Sequence, residues 1–182
     1  ASPTYTRLLA ELPEGAHCTW APLATDHVAK ATELAFGRPL RAVYELDEAM
    51  IVVGVDDDYI GQHPAHVKHE AAWARLRVSA DDEAKPRMSR TYHVDCQHAL
   101  TGANADVRLP LKPSRLRRVL EALAYEVGVT GVALPETLTD RESEFVNKAA
   151  KDLKANTGNS LVAVGAHLPP GLQVLGFHIN EQ

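Results

Sequence analysis

The sequence predicts an α/β domain of Rossmann-like type, with a mostly parallel sheet held between two layers of helices and residues 1–182 forming one unit. Three observations carry this expectation. The run Met50–Val55 is continuously apolar and β-branched, as a parallel strand covered on both faces is, and Ser160–Gly165 reads as a second buried strand. Amphipathic stretches of helical period alternate with them, the pattern of stacked βαβ units. A length of 182 residues with 45% apolar and 24% charged residues fits one sizeable domain with a real core.

Taken in order, Ser2 and Pro3 suit the cap and first position of a helix with Leu8, Leu9 and Leu12 on one side, stopped by Pro13-Glu14-Gly15. His17–Ala21 is a short strand candidate. Asp26–Phe36 is helical, with Val28, Ala31, Leu34 and Ala35 on one face and Gly37 placed to end it. Met50–Val55 is the clearest strand, followed by Asp56, Asp57 and Asp58. A helix is expected from Pro64 to about Val78, and the polar stretch Ala80–Arg87 reads as a loop and the best candidate for local disorder.

Thr91–Cys96 is the next strand, with Tyr92 and Val94 apolar, and Val107–Pro110 a shorter one. A strong helix follows, capped by Ser114, with Leu116, Val119, Leu120, Leu123, Ala124 and Val127 on helical spacing. Thr139 and Glu142 form a capping box for the helix whose apolar face is Phe145, Val146, Ala149, Ala150 and Leu153, with Gly158 closing it. After the strand Ser160–Gly165, a last helix starts near Pro170 and carries Leu172, Leu175 and Ile179. A chain that opens with a helix and ends in one, beginning abruptly at Ala1-Ser2-Pro3, is expected to be a fragment of a larger protein. A sheet edge left unpaired by such a cut would favour dimerisation or aggregation.

Several function classes are disfavoured. A formal charge of −5 argues against a nucleic-acid footprint, and Arg115, Arg117 and Arg118 read as the solvated side of one helix. The longest apolar run is too short to span a membrane, and no secretory leader is visible. Cys18 and Cys96 form no CxxC pair and by themselves hold neither an iron–sulfur cluster nor a Cys-rich zinc site; free, buried thiols are expected rather than a bond between them. The chain contains no GxGxxG, no phosphate-binding GxxxxGK[ST], no GxSxG and no HExxH.

In an open parallel sheet, ligands bind beyond the carboxyl ends of the strands, which directs attention to Asp56–Gly61, Gln97–Asp106 and Gly165–Pro170. Asp56 is placed to accept hydrogen bonds from a ribose or a guanine edge, or simply to cap the following turn. His66 and His69, three apart on a helix, are spaced to share a metal, whereas His63, before Pro64, is offset too far for an easy three-ligand site; the competing reading is an exposed polar helix face. The segment Leu100–Ser114 reads as a Gly-containing turn, a short strand and a helix start, with Asp106 able to bond turn amides.

That segment also carries a resemblance. Thr101-Gly102-Ala103-Asn104-Ala105-Asp106-Val107-Arg108-Leu109-Pro110 resembles a segment of the molybdopterin-oxidoreductase-like iron–sulfur subunit of bacterial alternative complex III, a quinol-oxidising respiratory complex. Ser2-Pro3-Thr4, Ala35–Tyr44 and Leu161–Pro169 are similar to further segments of that family in the same order. The resemblance implies a Rossmann-like layer of a larger chain on the periplasmic side of the inner membrane. Iron–sulfur clusters would lie elsewhere in the parent, no cofactor would sit in this fragment, and the partners would be the parent's other domains and the complex's subunits. It further implies a non-catalytic structural role. Where cofactor-binding relatives carry Gly-x-Asn-Pro, this chain has Gly54-Val55-Asp56-Asp57-Asp58-Tyr59, a departure that argues against a pterin dinucleotide. The alternative is half of a molybdopterin guanine dinucleotide site in an active oxidoreductase, with Asp56, Thr101, Gly102 and Asp106 as the nucleotide contacts.

Overall fold

A computed structural model describes residues 3–12, 14–18, 20, 26–77 and 88–182. Among them the elements run α1 (Pro3–Glu11), α2 (His27–Phe36), β1 (Ile51–Val55), α3 (His66–Arg75), β2 (Arg90–Asp95), α4 (Leu100–Ala103), β3 (Val107–Pro110), α5 (Pro113–Val127), α6 (Asp140–Ala155), β4 (Ser160–Val164) and α7 (Pro170–Glu181). The four strands form one all-parallel sheet in the order β3-β2-β1-β4. The expected Rossmann-like α/β fold is therefore the fold observed.

The alternation of a strand's side chains splits the core into two layers. Ile51, Val53 and Val55 of β1, Tyr92 and Val94 of β2, Leu109 of β3 and Val162 and Val164 of β4 face α5, α6 and part of α7. Val52, Ala163 and Leu161 face the other way, toward Leu46, Tyr59, Ile60 and the α3 residues Ala72 and Trp73. A continuous apolar run was needed on β1 because both of its faces are buried.

The ends of the helices follow local chemistry. Gly37 adopts a left-handed φ of 74° and closes α2 as expected. The Thr139–Glu142 capping box of α6 forms: Glu142 N donates to Thr139 Oγ1 at 3.3 Å, and Thr139 N donates to Glu142 Oε2 at 2.7 Å.

Several expectations need correcting. Ser114 does not cap α5; Lys112 holds the cap position without a side-chain bond, and Pro113, whose fixed φ suits the first turn, starts the helix two residues earlier than a Ser114 cap would. Gly158 does not end α6, which stops at Ala155; at φ 82° it turns the chain into β4 instead. Arg115 is not merely solvated, because its guanidinium pairs with Glu142, a carboxylate only 2% exposed, and so ties α5 to α6. Leu34 is exposed rather than packed, and α1 buries none of its residues. Of the strand expected at His17–Ala21, the described residues are irregular, while Thr19 and Ala21 lie outside the described residues, as do Ser2, Pro13, Val78 and the expected loop Ala80–Arg87.

The register leaves the even-numbered residues of β4 pointing their backbone groups away from β1. Asn180 of α7 occupies that edge as a strand would. Its Nδ2 donates to Val162 O at 2.9 Å, and its Oδ1 accepts from Val162 N at 2.7 Å. One edge of the sheet is thus partly closed by a side chain of the chain's own last helix.

Candidate functional site

The strand order dictates where a ligand would sit. From β1 the chain steps to β2 and β3 on one side, then crosses back to β4 on the other side of β1. The connections therefore diverge between β1 and β4, and the crevice beyond their carboxyl ends is the ligand position of such sheets. Asp56 leaves β1 there, and Gly165–His167 leave β4.

That crevice is bridged by the protein itself. Asp56 takes a left-handed φ of 51°, a conformation costly for a residue with a side chain. In this conformation its Oδ1 accepts from Cys96 N at 2.9 Å and its Oδ2 from His167 Nε2 at 2.9 Å. The carboxylate thereby joins the exits of β1, β2 and β4. Gly165 is required for this closure, since a Cβ there would lie 2.3 Å from Asp56 O. The loop bearing His167 is fixed in turn by His27, whose Nδ1 donates to Leu168 O at 3.0 Å and approaches His167 O at 3.1 Å.

The next two aspartates are equally committed. Asp57 is buried and accepts from Tyr44 Oη at 2.9 Å; burial, opposed by that hydrogen bond, pushes its carboxyl up to about 6. Asp58 Oδ1 accepts from both Thr101 N, at 2.9 Å, and Thr101 Oγ1, at 2.7 Å. Thr101 Oγ1 accepts in its turn from Ile60 N at 3.2 Å. Three adjacent carboxylates, a liability if left together, are separated by pointing each at a different element.

A second polar group lies inside the sheet, on the face away from α5 and α6. Thr91, His93 and Asp95 alternate along β2 and are all buried. Arg108 on β3 neutralises Asp95, with Nε donating to Oδ2 at 3.1 Å and Nη2 lying 2.8 Å from Oδ1. His93 Nε2 is 3.8 Å from Asp95 Oδ2, outside hydrogen-bond range, and neither ring nitrogen has a partner among the described residues. Burial lowers its pKa and Asp95 opposes the shift, so the imidazole is neutral at neutral pH. Two glycines make room for these groups. A Cβ on Gly54 would fall 2.3 Å from His93 Nδ1, and one on Gly102 would fall 2.1 Å from Asp95 Oδ2.

The four residues expected to contact a nucleotide are thus divided. Asp56, Thr101 and Gly102 gather at the carboxyl ends of the strands, but Thr101 and Gly102 are buried in contacts with Asp58 and Asp95. Asp106 is at the opposite end of the sheet. It precedes β3, accepts from Thr91 N at 2.7 Å and forms a bidentate pair with Arg77 at 2.7 and 2.8 Å. It cannot join Asp56 around one ligand.

The histidine set also differs from expectation. His69 is not on an exposed face: it is fully buried, its Nδ1 donates to Tyr59 O at 3.0 Å, and its ring stacks on Tyr44. His66 is exposed, with Nδ1 donating to His63 O at 3.0 Å. Among the described residues no group of three or more His, Cys, Asp or Glu side chains is placed to hold a metal ion. Cys18 and Cys96 are both free as expected, but neither is buried: Cys18 is exposed and Cys96 half-buried. Burial, aided by Asp56, pushes the Cys96 thiol up to about 11, which keeps it protonated and poorly nucleophilic.

Tyr44, His93 and His167 were not singled out as site residues by the sequence. Only His167 lies in a segment that the strand-end rule points to, the Gly165–Pro170 loop. No helix of the described structure is long and apolar enough to cross a membrane. No protein-family model matches the chain, and no curated protein is significantly similar to it.

Proposed function

We propose that this chain is a non-catalytic structural domain of a respiratory electron-transfer subunit resembling the molybdopterin-oxidoreductase-like subunit of alternative complex III. In this reading the domain carries no cofactor of its own. It supports a neighbouring iron–sulfur module of the parent chain and docks other subunits of the complex on the periplasmic side.

The observation that carries the reading is the bridging of the β1–β4 crevice by Asp56 and His167 at 2.9 Å. A nucleotide site needs strand-end carboxylates and amides that face the ligand. Here those groups face one another: Asp56 serves Cys96 and His167, Asp57 serves Tyr44, and Asp58 serves Thr101. A dinucleotide would have to displace charge-assisted hydrogen bonds, each worth roughly 1.5–3 kcal/mol, before making any of its own. The chemistry of the crevice therefore favours a frame whose loops are locked over a reaction vessel.

Titrating the chain with GDP and guanosine, followed by amide NMR, tests this. The reading predicts no saturable shifts at Asp56, Cys96, Thr101 or Gly102 and no gain in thermal stability. A bound nucleotide at a hundred times its Kd would add about 2.7 kcal/mol. Saturable shifts at those amides with such a gain would instead support half of a molybdopterin guanine dinucleotide site.

A further inference from the structure

A cavity of about 230 Å³ lies between α2, α7, the segment 41–44 and the outer edge of β4, separate from the bridged crevice. Its walls are largely apolar: Val28, Pro64, Val162, Val164 and Phe177. Its polar lining is one-sided in charge. Arg41 and His63 line it, and none of its lining residues is acidic. In a chain whose formal charge is −5, that local sign is a contrast.

The hydrogen-bonding state of each polar lining group can be followed. Asn180 is consumed by Val162 and Tyr44 donates to Asp57. Gln173, itself 3% exposed, donates its Nε2 to Gly165 O and leaves Oε1 without a partner among the described residues. His63 Nδ1 accepts from Ala65 N at 3.0 Å, which puts the proton of the neutral ring on Nε2 as a free donor. Arg41 has no hydrogen-bond or ion-pair partner among the described residues. The cavity thus offers two donors of positive or ionisable character, one acceptor and an apolar wall.

We propose that this cavity is a binding site for a small aliphatic carboxylate, its charged end held by Arg41 and His63 and its hydrocarbon end against Val28, Val162, Val164 and Phe177. The volume limits the ligand. At about 30 Å³ of liquid volume for each water-sized group, 230 Å³ admits roughly seven or eight non-hydrogen atoms. A planar carboxylate matches a guanidinium better than a monatomic anion does. A ligand that also carries a hydroxyl or amide N–H would use Gln173 Oε1. The electrostatics agree, because burial and then the nearby positive charges of Arg41 and His66 lower the pKa of His63, and a bound anion would relieve that repulsion. The other rings beside His63 are Tyr44 and His69, with centroids at 5.3 and 4.5 Å.

The test uses 3-methylbutanoate as the probe, 3-methylbutanamide as its uncharged isostere, and NMR of the histidine rings and valine methyls of the full chain. The carboxylate is expected to bind saturably, to shift the Val162 and Val164 methyls, and to raise the His63 pKa. Arg41→Gln, at an exposed position that should not disturb folding, is expected to weaken binding by roughly tenfold or more. The amide is expected to bind weaker by a similar factor, and Arg38→Gln, outside the cavity, to bind as the parent does. The proposal is overturned if the carboxylate shifts are linear and unsaturable, if the amide binds equally well, or if Arg41→Gln leaves affinity unchanged.

Discussion

Replacing Gly54 with alanine places a methyl carbon 2.3 Å from His93 Nδ1, 2.9 Å from His93 Cε1 and 3.3 Å from Tyr59 Cε1. Ordinary van der Waals contact begins near 3.5 Å, so the imidazole must retreat by about 1 Å. It has little room to do so. Gly54 is fixed on both sides, by β2 and by β4, and Gly102 of α4 approaches the other flank of the His93 ring. Overpacking a close-packed core costs typically 1–3 kcal/mol, and the immobility of both partners puts this site at the upper end, about 3 kcal/mol. With a urea dependence of roughly 1–3 kcal/mol per molar, the unfolding midpoint should fall by about 1–3 M. The second arm of the cycle is His93→Ala, which removes the imidazole and opens the space the methyl needs. The double variant should then be less damaged than the sum of the singles by about 2 kcal/mol. A Gly54→Ala protein with the parent's midpoint, or strictly additive losses, would refute the account of how β1 and β2 pack.

Three further outcomes are expected. For Asp57, burial raises the folded pKa from its ordinary 3.8 to about 6, so its contribution is fully present below the lower value and lost as pH rises through the higher. Asp57→Asn stays neutral, and its stability relative to the parent should therefore rise by up to about 3 kcal/mol between about pH 4 and pH 7.5, measured by urea unfolding at each pH. A flat difference would contradict the burial of that carboxyl; the histidines, common to both proteins, cancel in the comparison. Asn180→Ala strips both partners from Val162 at the β4 edge and should cost about 1–3 kcal/mol in stability, with faster amide exchange at Val162 as the local signature. Finally, iodoacetamide at about pH 8 should label the exposed Cys18 and spare Cys96 until denaturant is added. Equal labelling of the two in the folded protein would count against the environment described for Cys96.

The parts of the fold that were legible are those written as periodicity. The β1 run announced a strand buried on both faces, and the apolar spacing of α5 and α6 gave the faces that meet the sheet. Thr139 and Glu142 fixed the start of α6 because a capping box is local chemistry. What was not legible depended on partners distant in sequence. His69 looked like part of a polar helix face, yet Tyr44 and Tyr59 bury it. Arg115 looked solvated because nothing near it in the chain foretells Glu142 on the next helix. The four-residue α4 is too short to show a helical period, so Leu100–Ala103 read as a turn.

Asp106 is a different case, because the physics to place it was available. The segment Thr101–Pro110 is contiguous, but a parallel sheet forces the chain back to the amino end before each new strand begins. A residue just before β3 must therefore lie at the opposite end from the exit of β2, and Asp106 does. Asp56 was placed correctly beyond β1 and the strand-end rule pointed to the loop that carries His167, but nothing local foretold that His167, more than a hundred residues on, would take up the second oxygen of Asp56.

The most direct test of the structural-domain account is the cofactor content of the larger parent protein it proposes, purified with the subunits that accompany it and assayed for metals and for released pterin fluorescence. The account predicts iron, with neither molybdenum nor pterin. Stoichiometric molybdenum and pterin would contradict it and turn attention back to Asp56, Thr101 and Gly102 as ligand-binding residues.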